Sequence, residues 1–163
     1  MATNQSHSIW WTPPDLIRVL KEEFPFDLDA AASPDNAIVE RYITAEMDAL
    51  VTPWDGRCVW VNPPYGSGNS ASIKEFVQRG YEQCMEQRNT VVMLLPTYSD
   101  PKYWRDYVMK AHEIRFLTGR LKFLDHGITK MSARFPSCLV IWKWFPGTTY
   151  KAPHIWTWDW SAR

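Results

Sequence analysis

The chain carries no net charge: eighteen Lys and Arg balance eighteen Asp and Glu over 163 residues. A clamp that grips nucleic acid by bulk positive charge is thereby excluded, although a local basic patch is not. Long apolar runs are missing too. Mean hydropathy is −0.36, and no stretch approaches the roughly 18 apolar residues of a membrane helix, so no transmembrane span is expected. Met1 to Ser8 are polar and lack an apolar core, so no secretory signal is read there. Cysteine is scarce, with only Cys58, Cys84 and Cys138 and no C-x-x-C pair. That argues against a disulfide framework or a zinc ribbon and for a reducing cytosol. His7, His112, His126 and His154 have no metal-ligand spacing, so no metal is assigned. Internal repeats and low-complexity linkers are also absent. One domain over residues 9–163 behind a flexible tail over 1–8 is the expectation.

Aromatic residues, by contrast, are abundant: 10 Trp, 7 Tyr and 7 Phe. Some must be core, and some are candidate stacking surfaces. Thr12-Pro13-Pro14-Asp15 reads as a helix start, with Thr12 as N-cap, and Leu16, Ile17, Val19 and Leu20 carry the helix to about Glu23. Residues 26–32 read as a short strand opening into a loop at Ser33-Pro34, and 35–42 as a short helix. Cys58 to Val61 is a compact apolar run stopped by two prolines, hence a buried strand. Residues 66–71 read as a flexible loop. Ile73 to Gln87 has helical spacing, and Thr90 to Pro96 is the clearest buried strand. A helix over 100–111 and strands over 113–117 and 137–144 follow, and Trp156, Trp158 and Trp160 alternate as on a packed strand. Alternating strands and helices predict an α/β fold with a mainly parallel, twisted sheet. Ligands of such sheets sit at the carboxyl ends of strands. Two of those ends carry unusual residues, Asp27/Asp29 and Asn62-Pro63-Pro64-Tyr65.

The second of these is chemically specific. Two prolines fix the backbone and remove two N–H donors, leaving carbonyl acceptors with no donor beside them. Asn62 adds an amide oxygen, and Tyr65 adds a ring that can stack and a hydroxyl. The set suits a flat ligand with an exocyclic NH₂: oxygens accept both amino hydrogens while the ring covers the ligand's face. An adenine amino group is the obvious fit.

Asn62-Pro63-Pro64-Tyr65 resembles the [D/N/S]-P-P-[Y/F/W] motif of amino-methyltransferases that use S-adenosylmethionine. The ordered set of motifs narrows this to the small phage-type DNA N6-adenine methyltransferases. Trp11-Thr12-Pro13 resembles their amino-terminal cofactor motif, and Phe26 to Ser33 with Asn36 resembles their first-strand motif. Tyr42 to Thr44, Asp48-Ala49-Leu50 and Trp54 follow the same pattern, as do Val92 to Pro96 and Ile114 to Phe123. The likeness covers roughly residues 10–145. It departs in one place: Ala30-Ala31-Ala32 stands where larger methyltransferases carry a glycine-rich turn. The resemblance implies a Rossmann-like S-adenosylmethionine-dependent methyltransferase fold, helices on both faces, compact and without a separate target-recognition domain. It also implies methyl transfer to N6 of an adenine flipped out of double-stranded DNA.

Residue roles follow from the same resemblance, each beside a plainer alternative. Asn62, Pro63, Pro64 and Tyr65 are the catalytic set, or else a structural turn. Trp11, Thr12, Pro13, Asp27, Asp29, Ala30, Asp48 and Asn62 are the cofactor candidates. Asp27 and Asp29 have the alternative of a helix cap or surface charge, Asp48 that of a solvated loop aspartate, Thr12 that of a helix cap, and Trp11 that of packing. Arg115, Arg120, Lys122, Lys130 and Arg134, with Phe116, Phe123 and Phe135 interleaved, make a candidate DNA surface or a solvated face. A protein of this size acts as a monomer or a homodimer. Two other functions remain: the same fold acting on RNA adenine or a protein glutamine amide, and a catalytically silent nucleic-acid-binding protein.

Overall fold

A computed structural model describes residues 10–65, 72–129, 132–147 and 151–162. The expected tail over 1–8, the expected loop over 66–71 and Lys130 lie outside these residues. Helix α1 runs Pro14–Glu23, α2 Ile73–Gln87 and α3 Lys102–Asp106. Strands are β1 Leu28–Asp29, β2 Cys58–Val61, β3 Thr90–Pro96, β4 Glu113–Leu117, β5 Leu124–Asp125, β6 Ile128–Thr129, β7 Ser137–Lys143 and β8 His154–Trp158.

Six of these strands form one sheet in the order β1-β2-β3-β7-β4-β8. The pairs β1–β2, β2–β3 and β4–β8 are parallel, whereas β7 runs antiparallel to both β3 and β4. Only β7 therefore runs against the others, and it lies inside the sheet. The carboxyl ends of β1, β2, β3, β4 and β8 and the amino end of β7 consequently share one edge. Loops 30–38, 62–65, 97–101, 118–123 and 132–136 all meet there.

Period-two side chains divide the core. Val92 and Leu94 of β3, with Cys58, Trp60, Leu139 and Ile141, pack against Leu16, Ile17, Val19 and Leu20 of α1. Val91, Met93 and Leu95, with Val59, Val61, Val140 and Trp142, face Phe76, Val77 and Cys84 of α2 and Tyr103 and Trp104 of α3. Each fully buried Leu or Val contributes about 1.5–3 kcal/mol. A capping box between Ser72 and Glu75 starts α2. At Gly80 a Cβ would stand 2.7 Å from Met93 Cε, so the helix sits close on the sheet.

Several local expectations change. Thr12 does not cap α1: Pro13 holds that position and no side chain caps the helix. Residues 35–42 form turns rather than a helix. The N–H groups of Asn36 and Ala37 return to Ser33 O, while Ile38 N–H donates to the Asp29 carboxylate. Helix α3 stops at Asp106, followed by a 3₁₀ turn over Val108–Lys110. A hairpin of β5 and β6 was not anticipated. Its two-residue turn, His126-Gly127, has φ of 46° and 80°, the left-handed pair that tight hairpins require. Trp156 and Trp158 lie on edge strand β8, and Trp160 falls in the turn beyond it.

Candidate active site

Strand β2 delivers Asn62 to the shared edge, and the two prolines end the strand there. The Asn62 amide nitrogen donates to Trp10 O at 2.6 Å and to Thr12 Oγ1 at 3.1 Å. A backbone carbonyl can only accept, so the amide's orientation is fixed by Trp10. Its oxygen is then turned away, buried, and without a hydrogen-bond partner. An acceptor left so costs about 1–3 kcal/mol until a donor reaches it. Thr12, expected as a cap, thus serves as the second acceptor that aims Asn62.

Pro63 is buried and Pro64 exposed. The Tyr65 hydroxyl donates to Leu94 O of β3 at 2.9 Å. Its ring meets Phe123 and Phe135 edge-on at centroid distances of 6.1 and 5.7 Å. Burial pushes the phenol well above its ordinary pKa of 10, so Tyr65 keeps the proton that it donates to Leu94 O. Trp10 meets Phe123 at 5.3 Å, closing the aromatic wall.

A cavity of about 440 Å³ opens between α1, from Thr12 just before it to Lys21 in its last turn, and the loop after β1; Asn62 does not line it but is bonded to Thr12, which does. Trp11, Thr12, Asn36 and Ile38 are among its walls. The volume lies within the usual range for small-molecule sites, about 300–1,000 Å³. The buried Trp11 indole N–H has no hydrogen-bond partner. Trp11 is held from behind by two backbone bonds with Leu124 and by His126 against its ring. Lys21 reaches across to Ile38 O at 2.5 Å, joining the two walls. Sequence reasoning missed Lys21 and Ile38; surface helix and loop positions carry no pattern that marks them.

Asp29 lies beneath this loop. Its carboxylate accepts from Ala31 N at 3.3 Å and Ile38 N at 3.2 Å. At 2% exposure, desolvation raises its pKa from 3.8 to about 6. Ala30 is fully buried, its N–H on Trp60 O. Asp27 does not join the group. It precedes β1, at the opposite edge, and accepts from the N–H groups of Arg57 and Cys58 at the start of β2. Asp48 sits exposed in a left-handed turn (φ 55°) and accepts from Leu50 N–H, outside the cavity's walls.

The basic stretch separates in two. Arg115 is 4% exposed and offers no DNA contact. It pairs with Glu23 at 2.5 and 2.7 Å and with Glu113 at 2.8 Å. Phe24, Trp156 and Trp158 surround its guanidinium at 5.2–5.4 Å. Arg120, Lys122 and Arg134 are exposed on loops at the Asn62 edge. Ala133 N–H to Leu121 O at 2.8 Å ties those loops together.

Residues 2–155 match the family model described as DNA N-6-adenine-methyltransferase (Dam). The chain is 34% identical over 121 residues to a DNA N-6-adenine-methyltransferase of Haemophilus phage HP1, covering 72% of this chain and 67% of that protein. It is 33% identical over 115 residues to a DNA N-6-adenine-methyltransferase of Escherichia phage T1, covering 69% of this chain and 46% of the relative. With its acceptor-lined edge beside an open cleft and a match over nearly its whole length, the chain belongs to the DNA N-6-adenine-methyltransferase family.

Proposed function

We infer that this chain carries out its family's reaction, methylation of adenine at N6 in DNA, and that S-adenosylmethionine is its methyl donor. The observation that carries the reading is the buried, unpartnered Asn62 oxygen, fixed in direction by Trp10 and Thr12. Nothing else in the motif so specifically demands an amino group. The cleft lined by Trp11, Thr12 and Asn36 holds the cofactor, and the free Trp11 N–H supplies a donor for it. When bound, the cofactor supplies a methyl group on a positively charged sulfur, an electrophile for nitrogen.

The chain's own residues do the rest by placement. Asn62 Oδ1 and a carbonyl of Pro63-Pro64 accept the two N6 hydrogens and turn the nitrogen's electron pair toward the cleft. Tyr65, held through its hydroxyl at Leu94, covers the face of the base. Fixed geometry of this kind lowers the barrier to attack by N6; the methyl carbon's bond to sulfur breaks as its bond to N6 forms, and the surplus N6 proton is released to solvent. The adenine must leave the duplex to reach Asn62, at a cost of a few kcal/mol; stacking on Tyr65 offsets about 1–3 kcal/mol of it. Asp29 supports the cofactor loop through its backbone. Arg120, Lys122 and Arg134 contact phosphates. The relatives are phage proteins, which supports the cytoplasm of an infected bacterium as the place of action. No helix among the described residues is long and apolar enough to cross a membrane.

Incubation with tritiated S-adenosylmethionine and unmethylated duplex DNA, followed by nucleoside analysis, tests the reading. Label on N6-methyladenine is expected, and Asn62→Ala should reduce it at least a hundredfold. Label in RNA or protein with none in DNA would overturn the assignment of DNA as substrate.

A further inference from the structure

Tyr98 lies on the same edge as the base-binding motif, yet no motif or basic stretch includes it. Its ring is 47% exposed, among the large side chains that the fold leaves facing solvent. It contacts Phe135 at 6.0 Å, and Phe135 in turn contacts Tyr65 at 5.7 Å. The backbone around it is constrained: Thr97 N–H donates to Pro136 O at 2.8 Å, and Tyr98 N–H donates to Pro96 O at 2.9 Å. The ring is therefore presented from the end of β3, the strand whose Leu94 carbonyl anchors Tyr65. Two tyrosines thus meet at the end of β3, one half-buried among aromatic rings with its hydroxyl on Leu94 and one facing out.

The DNA-facing surface needs a contact that is not electrostatic. The chain has no net charge, and with Arg115 buried, Arg120, Lys122 and Arg134 are what remain of the candidate phosphate contacts among the described residues. Extruding a base leaves a gap in the stack, and an aromatic or apolar side chain placed there recovers the lost contact. The geometry points to Tyr98 as that side chain: its ring enters the base stack beside the target pair and holds the gap while the adenine occupies the Asn62–Tyr65 site. This rests on the adenine-methylating reading above and adds to it a substrate contact outside the recognised motifs.

A wedge matters most when the target pair is intact. The test compares two duplexes, one with the target adenine paired to thymine and one with it opposite an abasic position, where no pair has to break. Tyr98→Ala is expected to lower kcat/KM about tenfold on the paired duplex and by no more than about twofold on the abasic one. Tyr98→Phe keeps the ring and should stay near wild type on both. S-adenosylmethionine binding, read by calorimetry, should be the same in all three proteins. Equal losses on the two duplexes, or no loss on either, would overturn the wedge. Wild-type protein that methylates neither duplex would instead overturn the reading on which it rests.

Discussion

Asn62 shows how much one side chain's environment decides. Its nitrogen is held by two acceptors and its oxygen by none. Asn62→Asp would place a carboxylate oxygen against Trp10 O. The Thr12 hydroxyl can turn to donate, but the carbonyl cannot, so one contact becomes repulsive. A loss of about 2–3 kcal/mol in transition-state stabilisation, a 30- to 150-fold drop in kcat/KM, is expected from steady-state methylation assays. Thr12→Val separates the two roles open to Thr12. As an acceptor for Asn62 its loss should lower kcat by about fivefold, from a hydrogen bond worth about 1 kcal/mol. As a helix cap its loss would lower stability instead, by a similar amount. Since α1 has no side-chain cap, urea denaturation is expected to place the variant within about 0.5 kcal/mol of wild type. The motif's place at the end of a buried strand was legible from residue type, because two prolines remove the N–H groups that a strand would need. The direction of the amide was not, since it depends on a carbonyl fifty-two residues away in sequence.

At the scale of elements, long apolar runs were legible and short polar ones were not. Helix α2 and strands β2, β3, β4 and β7 follow their expected spans closely, because their core faces leave little choice of period. Residues 35–42 have no such face, and the Asp29 carboxylate takes the Ile38 N–H that a helix would have used. Tertiary bonds to one buried aspartate thus set the conformation of the loop that walls the cleft beside α1. That aspartate also gives the element a pH dependence of unusual sign. Its folded pKa, about 6, lies above the ordinary 3.8 because burial disfavours the charged form. The folded state therefore holds this proton more tightly than the unfolded chain does. The contribution is full below about pH 4 and is lost as pH rises through about 6, a change of about 3 kcal/mol. Asp29→Asn is neutral throughout. The stability of wild type minus that of Asp29→Asn, measured by urea denaturation, should fall between pH 4 and pH 7. A difference that stays flat or rises over that range would contradict it.

Over the whole molecule, charge is spent in two different places, and sequence proximity hid the distinction. Arg115 and Arg120 are five residues apart, but Arg115 lies within β4 and Arg120 beyond its carboxyl end. The first is enclosed by Glu23, Glu113 and three aromatic rings and joins the end of α1 to the β4–β8 edge. The second is exposed at the edge where Asn62 waits. Period-two burial along β4 accounts for neither, because a buried cation is tolerated only where partners converge from separate elements. The two positions should respond oppositely to mutation. Arg115→Ala leaves Glu113 buried with the Trp156 indole N–H but without the guanidinium, and urea denaturation is expected to show a loss of about 3–5 kcal/mol. The slope of log affinity against log salt should not change in the protein that remains folded. Replacing Arg120, Lys122 and Arg134 together by Ala should spare stability and reduce that slope by about 2–3, since each phosphate contact contributes about 0.9. Fluorescence anisotropy of a labelled duplex between 50 and 200 mM salt reads the slope directly. A triple variant with the wild-type slope would mean that these loops do not touch the backbone, and that DNA approaches the Asn62 edge from another side.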